Sequence, residues 1–263
     1  MMGISGRPVR GIVRRLFRGA SGLLFPLHCP SCDAPIKGDL PHLCRSCREA
    51  LMAIAEPFCK ICGEPFEGVA GSAFRCGNCA YRKFHFEFAI AGYRSIGPAR
   101  DLIHAFKYGR RFALRQQLGE LLLRGFEDPR IAGRSAGMLV PVPLHHRKRR
   151  ERGFNQAEEI ARVAAKELGL PVVNCLRRLR YTDTQAHMHR NQRLHNMRGA
   201  VGLARSERSR SRLEGATVYL IDDVLTTGAT AQECARALKK EGMAGEVIVV
   251  TVCRAAGFSK PKL

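Results

Sequence analysis

The chain is 263 residues long, enough for one sizeable core or one core with a small module, and 45% of it is hydrophobic, as in ordinary soluble globular proteins. No apolar run approaches the ~20 residues that a bilayer-spanning helix needs. With 44 Lys and Arg against 23 Asp and Glu the formal charge is +21, which points to polyanionic partners: nucleic acid, phosphorylated metabolites or an anionic membrane surface.

The first 32 residues hold no acid, and Arg7, Arg10, Arg14, Arg15 and Arg18 make them strongly basic. The apolar stretch "GLLFPL" is short and runs directly into Cys29, which argues against a cleaved targeting signal. Val13, Leu16, Phe17, Leu23 and Leu24 are spaced as on one helix face, so 1–27 is expected to be a basic amphipathic segment docked on the protein, and the compartment to be the cytoplasm.

Eight of the eleven cysteines then fall into four C-x-x-C pairs: Cys29 and Cys32, Cys44 and Cys47, Cys59 and Cys62, Cys76 and Cys79. Two thiolates two residues apart on a tight turn face one tetrahedral ion, and a second pair completes its shell. Four pairs supply two zinc sites with no position left for water, so both are expected to be structural. Consecutive sharing of the pairs is the simpler arrangement and interleaved sharing remains open. Two such sites lower the net charge from +21 to about +17, two charges for each tetrathiolate zinc. Cys175, Cys234 and Cys253 stand alone in apolar surroundings, as small core residues do.

From residue 86 the pattern alternates. "FEFAIAGYRS" (86–95) reads as a strand, "PARDLIHAFKYG" as a helix opened by Pro98, and "RFALRQQLGELLLRGF" as a second helical run. "MLVPVP" (138–143) is a buried strand followed by a polar loop. Asn155 and Glu158 have capping-box spacing ahead of a helix with Ala157, Ile160, Ala161, Ala164 and Leu168 on one face, stopped by Gly169 and Pro171. "PVVNCL" is a further strand candidate and "RSERSRSR" (205–212) a low-complexity connector. "VYLIDD" (218–223) is a strand, Thr230 and Glu233 are spaced as a capping box for the helix "AQECARALKKEG", and "EVIVVTVC" (246–253) is the last strand. Strands alternating with helices predict an α/β layer on a parallel sheet.

Parallel sheets bind ligands beyond the carboxyl ends of their strands. Asp222 and Asp223 occupy such an end, and "VLTTGAT" leads from it to a helix start, where backbone N–H groups, Thr hydroxyls and the helix dipole attract an anion. Paired carboxylates beside a phosphate cradle suit a ligand with a vicinal diol and a phosphate, as in ribose 5-phosphate.

"VYLIDDVLTTGAT" (218–230) resembles the phosphoribosyl-pyrophosphate (PRPP) signature of type I phosphoribosyltransferases. More narrowly, residues 27–254 resemble the ComF/GntX family through the four C-x-x-C pairs, "LIHAFKYGRR", "VPVPLHHRKRRERGFNQAE", "TQAHMHRNQRLHNMRGA" and the signature. The resemblance implies a double zinc-ribbon module over 28–85 and a phosphoribosyltransferase-like α/β domain over 86–257, between the basic segment over 1–27 and a short tail over 258–263. It implies that Asp222 and Asp223 bind the ribose hydroxyls, and that Thr226, Thr227, Gly228, Ala229 and Thr230 hold the 5-phosphate. Arg149 and Arg152 would lie at a loop facing the pyrophosphate, and Arg190 and Arg193 on a loop over 181–198 that closes over the site. Mg²⁺ would bridge ligand oxygens. Thr226 stands where purine-salvage members carry an acid, which disfavours that substrate class, and no residue identifies itself as a general acid or base.

The same resemblance implies a role in DNA uptake beside a helicase-like partner. Arg147, Lys148, Arg149, Arg150 and Arg152 supply five cations against one acid over 145–152. With no Trp and five Tyr, binding of single-stranded DNA is expected to be electrostatic and indifferent to sequence. A metabolic phosphoribosyltransferase and a PRPP-sensing regulator are the alternative readings.

Overall fold

The computed structural model describes residues 28–36, 42–69, 71, 73–109, 111–131, 134, 137–181, 196–204 and 211–255. The segment 1–27, Arg190, Arg193 and most of the 181–198 and 205–212 stretches lie outside them.

Six strands are described: β1 (Phe88–Arg94), β2 (Gly137–Pro141), β3 (Leu176–Arg178), β4 (Val201–Leu203), β5 (Thr217–Leu225) and β6 (Glu246–Arg254). The helices are α1 (Arg45–Glu49), α2 (Gly97–Tyr108), α3 (Arg115–Phe126, entered through a 3-10 turn Phe112–Leu114), α4 (His146–Arg152), α5 (Gln156–Leu168) and α6 (Ala229–Lys240). Strands β1, β6, β5 and β2 form a wholly parallel sheet in that order, so their carboxyl ends share one edge.

Successive side chains of each strand face opposite sides. Val218, Leu220, Val247 and Val249 join the core under α6, with Cys234 and Leu238. Tyr219, Ile221, Ile248 and Val250 join the other core, under α2, α3 and α5, with Leu102, Phe106, Leu118 and Ile160. Burial on both faces explains the near-continuous apolar runs of β5 and β6. Cys175, Cys234 and Cys253 are fully buried within these cores.

Both edges of the sheet are covered. Residues 52–54 run along β1, where Arg94 N–H donates to Met52 O at 2.8 Å and Ile54 N–H to Gly92 O at 3.0 Å. Val172 makes a single parallel bridge to Leu139 of β2, so "PVVNCL" is a brief edge cover, and the regular strand starts only at Leu176. β3 and β4 form a separate antiparallel pair packed against α6, a feature the sequence pattern did not signal because each has three residues.

Two expected capping boxes do not form. Asn155 does sit at the N-cap of α5, but its amide donates to Val142 O at 3.0 Å while Glu158 accepts from Arg162 and Asn174. Helix α6 begins at Ala229, with Gly228 at its N-cap, and Glu233 accepts from the N–H of Gly199 at 2.8 Å. In both places a tertiary donor outcompetes the local one. The basic stretch after β2, expected as a loop, is helix α4, with His145 Nδ1 accepting from Arg147 N–H at its start.

Candidate functional site

The cysteine pairs are shared consecutively. The sulfurs of Cys29, Cys32, Cys44 and Cys47 lie within 4.8 Å of one another, as do those of Cys59, Cys62, Cys76 and Cys79. A tetrathiolate zinc with bonds of about 2.3 Å has sulfur–sulfur edges of about 3.8 Å. The Cys32–Cys44 and Cys62–Cys76 separations of 3.5 and 3.7 Å match that spacing, so both groups fit zinc. The first pair of each group sits on a tight turn closed by a backbone bond, Asp33 N–H to Cys29 O and Gly63 N–H to Cys59 O, both 2.9 Å, while Cys44 and Cys47 open α1.

Near the shared carboxyl edge, β5 carries Asp222 and Asp223 just before its last two residues, Val224 and Leu225. Asp222 is half-buried and accepts from the N–H of Asp223 at 2.9 Å, while Asp223 is buried and accepts from the N–H of Val224 at 3.0 Å. Lys107 reaches over from α2 to pair with the Asp223 carboxylate. Burial and the neighbouring Asp223 charge push Asp222 up to about 8, against the pull of Lys107. Burial works against the Lys107 charge, but Asp223, with Asp222 behind it, holds the ammonium above its ordinary value.

The two neighbouring aspartates therefore differ in exposure. A strand alternates its side chains, so adjacent residues cannot present alike: Asp222 stays reachable while Asp223 is sealed against Lys107. Lys107 had a legible signal, a cation four residues after Ile103 and next to Phe106 on the buried stripe of α2.

Thr226 is exposed, Thr227, Gly228 and Thr230 are half-buried, and Ala229 is buried as the first residue of α6. Ala229 N–H donates to Thr227 Oγ1 at 3.4 Å. Gly228 has φ of +76°, which side chains rarely adopt, and a Cβ there would meet nothing within 4 Å. Glycine at this position allows the left-handed turn into α6.

Helix α4 follows the carboxyl end of β2 and buries none of its residues. Arg147, Arg149 and Arg150 are exposed and Lys148 and Arg152 half-buried. Arg149 lies 3.9 Å from Glu158, Arg152 lies over the exposed ring of Tyr108, and Arg147 and Lys148 flank Tyr181. Burial, with His146 and Arg147 beside it, holds His145 below the usual imidazole range, which suits its role as acceptor at the helix start.

A family profile described as "Double zinc ribbon domain" matches residues 20–80, and one described as "Phosphoribosyl transferase domain" matches 154–262. "Competence protein F" of Haemophilus influenzae is 28% identical over 222 residues, 83% of this chain and 93% of its own length. "DNA utilization protein YhgH" of Salmonella typhimurium is 29% identical, covering 88% of this chain and 99% of its own. "Competence protein ComFC" of Bacillus subtilis is 25% identical, covering 89% and 98%. The chain thus carries a double zinc ribbon followed by a phosphoribosyl transferase domain, and it is similar over most of its length to these competence and DNA-utilization proteins.

The double zinc ribbon of this chain packs against two different parts of the α/β layer. The first cysteine group leans on α2, where Ser31 Oγ donates to Asp101 at 2.8 Å and Arg111 to His28 O at 3.3 Å. The second leans on β1 and β6, where Ala89 N–H donates to Ile61 O at 2.8 Å and Arg254 Nε to Cys62 O at 3.1 Å. Among the described residues no helix is long and apolar enough to cross a membrane.

Proposed function

We propose that this ComF-like protein binds Mg-PRPP in its phosphoribosyltransferase-type domain and serves DNA uptake in the cytoplasm, binding single-stranded DNA without sequence preference. One observation carries the ligand reading: Asp222 and Asp223 lie near the carboxyl end of a central parallel strand, which leads through Thr226, Thr227 and Gly228 into the N-terminus of α6. A diol donates to the ionised carboxylate of Asp222, with Asp223 and Lys107 fixing the charge behind it. The 226–230 backbone and hydroxyls take the 5-phosphate at a helix start. Mg²⁺, when bound with the ligand, would neutralise the pyrophosphate, as this ion usually does while keeping much of its shell on the ligand. Turnover would be displacement of pyrophosphate at the anomeric carbon by an acceptor, helped by electrostatic stabilisation of a cationic sugar. Thr226 in place of an acid argues against purine salvage, and the binding reading stands whether or not an acceptor is used.

The names of the Haemophilus and Salmonella relatives motivate the DNA role, and the solvent-facing cations of α4 support it. Isothermal titration with Mg-PRPP, followed by a pyrophosphate-release screen over bases and amines, tests the first reading. For the second, anisotropy of labelled single-stranded DNA should fall steeply with salt. Replacing Arg147, Lys148, Arg149, Arg150 and Arg152 by Ala should flatten the log–log slope by roughly 0.7 per residue. An unchanged slope places the DNA elsewhere. Undetectable Mg-PRPP binding refutes the ligand reading.

A further inference from the structure

At its carboxyl end β6 closes on a buried charge, Arg254. Arg254 is only 2% exposed, yet it carries a full guanidinium into the junction between the second ribbon and the sheet. Its Nε donates to Cys62 O at 3.1 Å, and its Nη2 pairs with Glu64 at 2.5 Å and lies 3.9 Å from Cys62 Sγ. Its Nη1 serves three carbonyls: Leu225 O at 2.9 Å, Thr226 O at 2.7 Å and Ala255 O at 2.7 Å. One side of this group therefore holds a cysteine ligand and its turn, and the other holds the start of the loop that leaves β5.

We propose that Arg254 is a positioning residue that couples occupancy of the Cys59, Cys62, Cys76 and Cys79 site to the shape of the 226–228 loop, and through it to ligand affinity. The ligand part rests on the reading of that loop as a phosphate cradle; the coupling part does not.

The physical argument is one of geometry and charge. In a trans peptide the C=O and the following N–H point in opposite directions. Drawing Leu225 O and Thr226 O onto Arg254 therefore aims the N–H groups of Thr226 and Thr227 to the side away from the ribbon. A buried guanidinium needs its donors satisfied and its charge compensated. Glu64 and the thiolate of Cys62, held at one tetrathiolate zinc, supply that compensation, as outer-shell partners commonly do for metal ligands. Loss of the metal frees the Cys62 turn, and Arg254 then loses the anchor that sets its position under the loop. A lysine cannot substitute, because its one nitrogen cannot serve the loop carbonyls and at the same time reach Cys62 O and Glu64 on the ribbon. The first cysteine group has no such link to the loop among the described contacts; it acts on α2.

Full-length Arg254→Met, Arg254→Lys, Cys76→Ser and Cys32→Ser proteins separate these claims. The readouts are zinc content, amide exchange at 225–229 by mass spectrometry, and isothermal titration with Mg-PRPP. Arg254→Met and Arg254→Lys should retain the first-site zinc and exchange the 226–229 amides about tenfold faster or more, with Mg-PRPP affinity down by a similar factor. Cys76→Ser, which opens the second site at its one half-exposed ligand, should speed the same amides. Cys32→Ser, at the first site, should leave them at the wild-type rate. Wild-type exchange at 225–229 in both Arg254→Lys and Cys76→Ser overturns the coupling, as does an equal acceleration in Cys32→Ser. Should Arg254→Met not fold, those two variants decide the question alone. If exchange responds as expected and no variant, nor the wild type, binds Mg-PRPP, the coupling holds and the ligand reading fails.

Discussion

The first cysteine group leaves Cys32 in solvent and Cys44 half-buried, whereas the second buries Cys59, Cys62 and Cys79 and leaves only Cys76 half-buried. The ligand spacing is nearly the same in both, so the difference comes from docking. The first turn lies beside the amino end of α2 and shares its apolar core through Cys29, Leu43 and Cys47. The second is wedged into the sheet edge, pinned by Arg254 to Cys62, by Arg130 Nη1 to Lys60 O at 2.8 Å and by Ala89 to Ile61. Each flank also touches the candidate site by a separate route. The first supports the helix that carries Lys107, and the second supports the strand that carries Arg254. Identical motifs thus become an accessible site and a sealed one, according to what the fold lays over them.

The largest effect should come from the metals. Elemental analysis should find two zinc atoms per chain, and a strong chelator should release them in two phases, the first site clearly faster because its sulfurs are reachable. Cys59→Ser should cost more stability than Cys32→Ser, since the buried turn cannot rehydrate without opening the sheet edge. Single-phase release, or equal costs, would break the contrast between the two groups.

Next in size is the pair that ends the first route. Lys107→Met or Asp223→Asn leaves one buried charge without its partner, at about 3–5 kcal/mol. Denaturant unfolding should show that loss for each and a much smaller one for Asp222→Asn, whose side chain is only half-buried. Equal losses for Asp222 and Asp223 substitutions would mean that the two acids are not divided between ligand and structure.

Asp222→Asn should weaken Mg-PRPP by roughly 1.5–3 kcal/mol, about one to two decades in dissociation constant, through loss of a charged acceptor. It is the cleaner probe than the double substitution, because the latter also strands Lys107. Wild-type affinity in this variant falsifies the diol assignment.

The smallest effect is on pH. Asp222 sits near 8 in the folded protein against 3.8 ordinarily. Its contribution to stability is therefore fully present below the lower value and is lost as pH rises through about 8. Ligand binding runs the other way, because the diol needs the carboxylate. Raising the pH from 7 to 9 should tighten Mg-PRPP by up to about tenfold and lower the melting temperature of the ligand-free protein. Asp222→Asn should lose both trends. A flat profile in the wild type would show that Asp222 is ionised throughout.

Much of this was legible in the residues themselves. The four cysteine pairs identified two sites because metal-ligand spacing is a local property of a turn. The strands over 86–95, 138–143, 218–223 and 246–253 were legible because full burial on both faces needs uninterrupted apolar runs. The capping boxes were not, since Glu158 and Glu233 found partners from distant segments. Nor were β3 and β4, too short to carry a period.

By itself the sequence determined the ligand types, the parallel α/β pattern and the place of Asp222 and Asp223 near a strand end, because each depends on residues close in the chain. Only the tertiary structure decided that the cysteine pairs combine consecutively, that one group is sealed and the other open, and that Asp223 is neutralised by Lys107 from another helix. It also brought Arg254 under Leu225 and Thr226, 29 and 28 residues back along the chain from the arginine. Those outcomes depend on which surfaces meet when the ribbons pack on the sheet, and burial and long-range charge pairing exist only after that packing has formed.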